Sequence, residues 1–191
     1  MSGRLPRNVR IVGGAKRGHR LKVARGGATR PTGERVREAI FDALGPVDGL
    51  KVLDLFAGTG AMGLEALSRG AERCVFVEED RGVTVVLREN IAALGYGSRS
   101  RVMLAGYERA ARRLGQEEKG FDLLFVDPPY RMLAEVEVTL KPLLASLLAE
   151  DGVAVVEGGK SSQTTFGQTT VFDRIYGDTK VMMITMRRNI A

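Results

Sequence analysis

Val52-Leu53-Asp54-Leu55-Phe56-Ala57-Gly58-Thr59-Gly60-Ala61-Met62-Gly63 is the stretch whose reading decides the fold. Its first half is a short apolar run bounded by Lys51 and by glycines. That is the pattern of a strand covered on both faces in a parallel sheet. Glycines spaced Gly58-x-Gly60-x-x-Gly63 then predict a tight turn that leaves the main chain open to close approach by a ligand. Ala61 to Ser68 has the composition of a helix. Strand, glycine turn and helix in that order make a nucleotide-type site at the end of the first strand of an α/β sheet.

The glycine spacing alone fits two ligand classes, NAD and S-adenosylmethionine. Glu78 lies twenty residues after Gly58, where an acid meets a ribose hydroxyl in either class. Asp54 tilts the choice. A carboxylate inside the strand, just before the turn, works against a pyrophosphate and suits a ligand carrying an ammonium and a sulfonium. The plainer alternative is that Asp54 caps the turn and the glycines only close it.

Outward from this stretch, the pattern alternates strand and helix. Strands are expected at 51–56, 73–78, 101–104, 121–126 and 152–157. Helices are expected at 61–69, 82–94, 107–114 and 133–149, the last a single long one. The tail reads as two strands, 169–176 and 179–186, joined at Gly177-Asp178. The fold class predicted is α/β: a Rossmann-like, mostly parallel, doubly wound sheet closed by a C-terminal hairpin with one antiparallel edge strand. At 191 residues the chain can bury one good core plus a small extension.

A second motif, Asp127-Pro128-Pro129-Tyr130, follows the fourth of these strands. The first and fourth strands flank the topological switch point of such a sheet, so both motifs converge on one crevice. Neither proline has an N–H, and both hold φ near −65°, which fixes the local carbonyls for an incoming donor. The Asp127 carboxylate and the Pro128 carbonyl can each accept a hydrogen from a flat exocyclic amine while Tyr130 stacks on the attached base. The alternative is a proline-stiffened loop with a capping Asp and an exposed Tyr.

Charge divides the chain. Residues 1–38 hold eleven Lys and Arg against Glu34 and Glu38, a net of +9, whereas the remainder carries 18 basic and 21 acidic residues, a net of −3. This asymmetry suggests a nucleic-acid-binding arm over residues 1–28 on a catalytic domain over 29–191, with a solvated basic tail as the bland alternative. Within the arm, 9–12 and 20–23 alternate with period two and predict a basic hairpin with a loop rich in Gly, Lys and Arg. A lone hairpin is marginal in water, so it is expected to dock. A helix follows from Thr32, a candidate N-cap, with Val36, Ala39, Ile40, Ala43 and Leu44 on one face. Arg30, Arg35 and Arg37 are candidates to face substrate.

Cys74, the one cysteine, lies in an apolar run and is expected to be buried, which fits a reducing compartment. His19, the one histidine, is a poor metal ligand candidate and reads as a surface residue. No zinc spacing, apolar leader or run of membrane-spanning length is present in the sequence.

Asp54–Gly60 together with Asp127–Tyr130 resembles the class I S-adenosylmethionine-dependent amino-methyltransferases. Arg10-Ile11-Val12-Gly13-Gly14, Lys16-Arg17-Gly18, Arg30-Pro31-Thr32, Arg35-Val36-Arg37-Glu38, Gly63–Arg69 and Val77–Arg81 narrow the resemblance to the RsmD family. The resemblance implies S-adenosylmethionine as cofactor, no metal, and transfer to guanine N2 of 16S ribosomal RNA in an assembling 30S particle. It also implies a flipped-out base and a cytoplasmic monomer. On it, Asp127, Pro128, Pro129 and Tyr130 are the catalytic set. Asp54, Ala57, Gly58, Thr59, Gly60, Glu78, Gly106 and Tyr107 hold the cofactor, and Arg10, Lys16, Arg17, Arg20, Arg30 and Arg35 meet RNA. One departure stands out. Ala105-Gly106-Tyr107 occupies the place where family members carry Asp or Asn toward the adenine amine, leaving backbone and apolar contacts for that role.

Two rivals remain open on the residues alone. A DNA adenine-N6 methyltransferase shares the tetrapeptide but usually adds a target-recognition region. An NAD-dependent oxidoreductase shares the glycine spacing but would need a hydride-site pattern such as Tyr-x-x-x-Lys.

Overall fold

Seven strands of the chain form one twisted sheet in the order β5-β4-β3-β6-β7-β9-β8, seen in a computed structural model that describes residues 9–24, 33–117, 120–164 and 166–186. The strands are β3 (Lys51–Asp54), β4 (Arg73–Glu78), β5 (Ser100–Leu104), β6 (Phe121–Val126), β7 (Leu148–Gly159), β8 (Thr169–Tyr176) and β9 (Thr179–Thr185). β3 is flanked by parallel β4 and β6, with Asp54 in register with Phe76 on one side and Phe125 on the other. The chain order reverses between β3 and β6, so the crevice expected there exists.

Both faces of the sheet are covered, as the unbroken apolar strands require. Val52, Phe76, Phe125 and Val155 pack beneath α1 (Glu34–Leu44), α2 (Ala61–Ser68) and α3 (Arg81–Leu94) through Ile40, Phe41, Leu64 and Leu87. Leu53, Val75, Leu124 and Val156 pack on the other face against α4 (Tyr107–Glu117), α5 (Leu133–Leu140) and α6 (Leu144–Leu147) through Ala111, Leu114, Val136 and Leu147.

The tail departs from expectation. The reversed strand is β9, and it lies one position in from the edge, between β7 and β8. Hydrophobicity decides this: Val181, Met182, Met183 and Ile184 are all buried, whereas β8 leaves Val171 and Ile175 exposed at the rim. The single helix expected over 133–149 is broken into α5, a 3₁₀ turn at Lys141–Leu143 and the short α6. Pro142 lacks the N–H that a continuous helix would need. β7 therefore starts earlier than 152, with Leu148 opposite Phe121 and a register shift before Val153.

The basic arm docks on the main core. β1 (Val9–Arg10) and β2 (Arg20–Leu21) pair antiparallel, and Val9, Ile11 and Leu21 join the core cluster beneath α1 and α2. The loop between them folds back on itself, with Ile11 N–H donating to His19 O at 2.9 Å and Gly18 N–H to Ile11 O at 2.8 Å. His19 is exposed, and Cys74 is buried with its thiol pushed up by burial and by the nearby Asp54. α1 begins after Gly33 rather than at the expected Thr32 cap. Thr32, Arg30 and residues 1–8 lie outside the described residues.

Candidate functional site

The glycine turn is built by its glycines. Gly58 and Gly60 have φ of 54° and 93°, a region in which a side chain is strained. Gly63 serves packing: a Cβ there would overlap the Phe76 ring and lie 2.6 Å from Cys74 Sγ, so only glycine lets α2 approach β4. Asp54 is 2% exposed, and its Oδ2 accepts the Gly63 N–H at 3.0 Å, clamping strand to helix. Its carboxyl is pushed up to about 7. Burial is the main cause and the charges of Asp127 and Glu78 add to it, while the backbone N–H groups of Gly63 and Phe56 oppose it.

Glu78 closes the turn from β4. Its Oε2 accepts the Gly58 N–H at 2.9 Å and its Oε1 the Asp80 N–H at 2.8 Å. Each oxygen keeps a second lone pair for a hydroxyl donor. Ala57 N–H donates to Val77 O at 2.9 Å, and Thr59 O accepts Asn90 Nδ2 at 2.9 Å. Asp54, Ala57, Gly58, Thr59, Gly60 and Glu78 are thus brought together at the carboxyl ends of β3 and β4. Gly106 and Tyr107 follow β5, where Ala105 N–H bonds Glu78 O at 3.1 Å. The Tyr107 ring lies 5.1 Å from that of Phe56, an apolar pair beside the turn.

Asp127 leaves β6 close enough to Asp54 for their charges to interact. Pro128 is buried and Pro129 is extended, with φ −50° and ψ 130°. The Pro129 carbonyl accepts Met132 N–H at 2.7 Å, so it is spent on the following 3₁₀ turn. Tyr130 is 49% exposed. Its hydroxyl is 2.7 Å from Thr179 Oγ1 at the start of β9, and its ring packs beside Gly159. The ring is thereby held against the protein while about half of the residue remains open to solvent.

The arm carries the remaining candidates. Arg17, Arg20 and Arg35 are exposed. Arg10 is exposed and its Nε pairs with Glu34 Oε2 at 2.9 Å, while Lys16 is half-buried with its Nζ 6.0 Å from the Tyr96 ring centroid. A cleft of about 360 Å³ lies between the arm and α1. Arg37, expected to face substrate, is instead 1% exposed. Its Nη2 donates to Arg10 O, and burial lowers its pKa against the fields of Glu65, Glu34 and Glu157.

Sequence reading passed over three organising residues. Glu65, at 0% exposure, accepts the Val12 and Gly13 N–H groups at 2.8 and 2.7 Å and pairs with Arg69 at 2.9 Å. Asn90 binds both polar groups of Lys22's backbone and also Thr59 O, joining the arm to the glycine turn. Thr179 anchors Tyr130. The signal for the first two was present: a lone acid in the apolar α2 and an amide on the apolar face of α3 must find partners when buried. Among the described residues no His/Cys/Asp/Glu group could hold a metal ion, and no helix is long and apolar enough to cross a membrane.

Residues 9–185 match the model of a family described as conserved hypothetical protein 95. A Bacillus subtilis protein, YlbH, provisionally named an rRNA methyltransferase, is 41% identical over 155 residues, covering 78% of this chain and 82% of its own. The ribosomal RNA small subunit methyltransferase D of Escherichia coli K12 is 44% identical over 124 residues, 64% of this chain and 61% of its own. Among solved structures, a hypothetical protein of Thermus thermophilus superposes with a TM-score of 0.79 at 35% identity, covering 93% of this chain and 99% of that one.

Proposed function

The chain belongs to the RsmD family, and from that premise we propose that it methylates the exocyclic N2 amine of a guanine in 16S ribosomal RNA, using S-adenosylmethionine, during small-subunit assembly. The observation that carries this reading is the meeting of two motifs at adjacent strand ends. The glycine turn after β3, Glu78 on β4 and Asp127–Tyr130 after β6 open on one crevice.

The residues fit a cationic cofactor. Three carboxylates converge at the same strand ends; burial raises the Asp54 pKa first, the charges of Asp127 and Glu78 raise it further, and a cation bound there would oppose both effects. Bound S-adenosylmethionine would supply an electrophilic methyl carbon. Asp54 holds the turn in shape through its bond to Gly63 N–H, and it and the 57–60 backbone would hold the methionine end. Glu78 would take the ribose hydroxyls, and Gly106, Tyr107 and Phe56 would give the adenine end backbone and apolar contacts.

The Asp127 carboxylate and the Pro128 carbonyl would accept the two amine hydrogens and so orient the nitrogen toward the methionine end of the crevice, with Asp127 the base placed to take the proton that the amine gives up. Tyr130 stacks on the base, its ring angle set by Thr179. Catalysis comes from positioning and from stabilising positive charge as it develops on nitrogen, without a covalent enzyme intermediate. The base must leave its stack to reach this pocket, at least cost from a partly single-stranded site. Residues 1–28 act as the RNA-binding extension and 29–191 as the catalytic domain. Arg10, Lys16, Arg17, Arg20, Arg30 and Arg35 meet the RNA backbone, which makes binding salt-dependent. The enzyme works as a cytoplasmic monomer.

The test is transfer from labelled S-adenosylmethionine to undermethylated 30S particles, naked 16S RNA and duplex DNA, followed by nucleoside analysis. N2-methylguanosine in ribosomal samples alone is expected. N6-methyladenine in DNA would overturn the substrate.

A further inference from the structure

We propose that the cleft between the arm and α1 seats one unpaired nucleotide flanking the target guanine and reads an amino group on its base. This rests on the reading of the chain as an RNA methyltransferase. It goes beyond that reading in giving the arm sequence specificity as well as affinity for phosphates.

The cleft's charge pattern carries the inference. Its residues include Arg10, Arg17, Arg35, Glu34 and Glu38. Arg10 and Glu34 neutralise each other at 2.9 Å. That leaves Arg17 and Arg35, which suit a phosphate, beside Glu38, which repels one. An ionised carboxylate only accepts hydrogen bonds, so the exposed Glu38 can exchange its water for a ligand's donor but not for an acceptor. A nucleotide brings both partners: an anionic phosphate and, in adenine, cytosine and guanine, an exocyclic amine. Uracil has a carbonyl there instead, which a carboxylate disfavours.

Shape and rigidity agree with this. At about 360 Å³ the cleft is a partly open recess whose volume lies in the range of roughly 300–1,000 Å³ typical of sites that take small-molecule-sized groups. A surface that only tracks a backbone is an open groove. RNA sequence is commonly read from splayed-out bases whose edges are hydrogen-bonded and whose faces meet Arg planes. The arm's side of the cleft is fixed by the bonds of Val12 and Gly13 to Glu65 and of Lys16 N–H to Ser68 Oγ at 2.9 Å. Asn90 ties the end of the arm to Thr59 in the glycine turn. The cleft is therefore held at a set distance from the crevice, as a second reading point along one strand must be.

The experiment compares binding of labelled C₅, A₅ and U₅ oligoribonucleotides to the full-length protein and to Glu38→Gln, Arg17→Ala and Arg35→Ala, with thermal unfolding and S-adenosylmethionine binding as controls. The wild type is expected to prefer C₅ and A₅ over U₅ by about fivefold or more, the lower end for a base contact. Glu38→Gln should compress that preference below about twofold with both controls unchanged. Arg17→Ala and Arg35→Ala should weaken all three oligonucleotides alike and lower the salt slope by about one each.

An unchanged preference in Glu38→Gln, or unchanged affinity in both Arg variants, overturns the inference; if the wild type still methylates ribosomal RNA, the proposed function survives it. Defects confined to assembled particles would also overturn it, in favour of a protein partner. A wild type that binds cofactor but no RNA of any kind would sink both readings together.

Discussion

Cofactor affinity should fall when Asp54 takes up a proton. Asp54 is 2% exposed with its carboxyl at about 7, raised first by burial and then by Asp127 and Glu78. A ligand carrying ammonium and sulfonium charge binds the ionised form better. With a pKa of about 7, the ionised fraction drops about tenfold between pH 8 and pH 6, a loss of about 1.4 kcal/mol. Isothermal titration with S-adenosylmethionine should therefore show Kd rising about tenfold over that interval, with proton release on binding at the lower pH.

Asp54→Asn should bind weakly at both pH values and show no such slope. Stability runs the other way. The folded pKa lies above the unfolded one, so between about pH 4 and pH 7 the folded state holds the extra proton and stability falls as pH rises. A rise from 3.8 to about 7 corresponds to at most about 4 kcal/mol lost by pH 8. The variant recovers this less about 1 kcal/mol for each backbone N–H that Asn serves less well. Urea unfolding should thus find Asp54→Asn more stable than wild type at pH 8, with the advantage gone near pH 4. Flat affinity from pH 6 to pH 8, or the same slope in the variant, would refute the placement of a cation over Asp54.

Asp127→Ala should cost about 10²–10³ in kcat while S-adenosylmethionine still binds, as for loss of a group acting only on developing charge; single-turnover kinetics with a cofactor titration checks both halves. Tyr130→Phe keeps the ring but loses the 2.7 Å bond to Thr179. It should lower turnover a few-fold, whereas Tyr130→Ala should lose the stacking worth about 1–3 kcal/mol, a difference read in kcat/KM. Glu65→Ala removes a fully buried carboxylate and strands the part-buried Val12 and Gly13 N–H groups and the Arg69 guanidinium, 22% exposed. It should destabilise by about 3–5 kcal/mol, measured by denaturant midpoint, and loosen the arm to hydrogen exchange.

Local pattern carried much of this molecule. The apolar runs of β3, β4 and β6 and the Gly58–Gly63 spacing are short-range properties, and their elements appear within a residue or two of expectation. The long helix failed at Pro142, a breaker visible in the sequence but outweighed there by its Leu-rich surroundings. The tail hairpin was legible as two strands. Its insertion order was not, because which strand lies inside depends on which pairs with the free edge of β7 and fills the cores on both faces, as Val181–Ile184 do.

By itself the sequence determined the α/β class, the two motifs and the segregation of charge into the first 38 residues, since spacing and composition suffice for each. Only the tertiary structure decided what each charge does. Arg37 and Arg35 are two residues apart on one helix, yet one is buried against Arg10 O and the other is exposed beside the cleft. Glu65 and Asn90 gain their importance from chain segments more than fifty residues away. The cost of burying a charge or an amide is set by its partners, and partners so distant in sequence are brought together only by the fold.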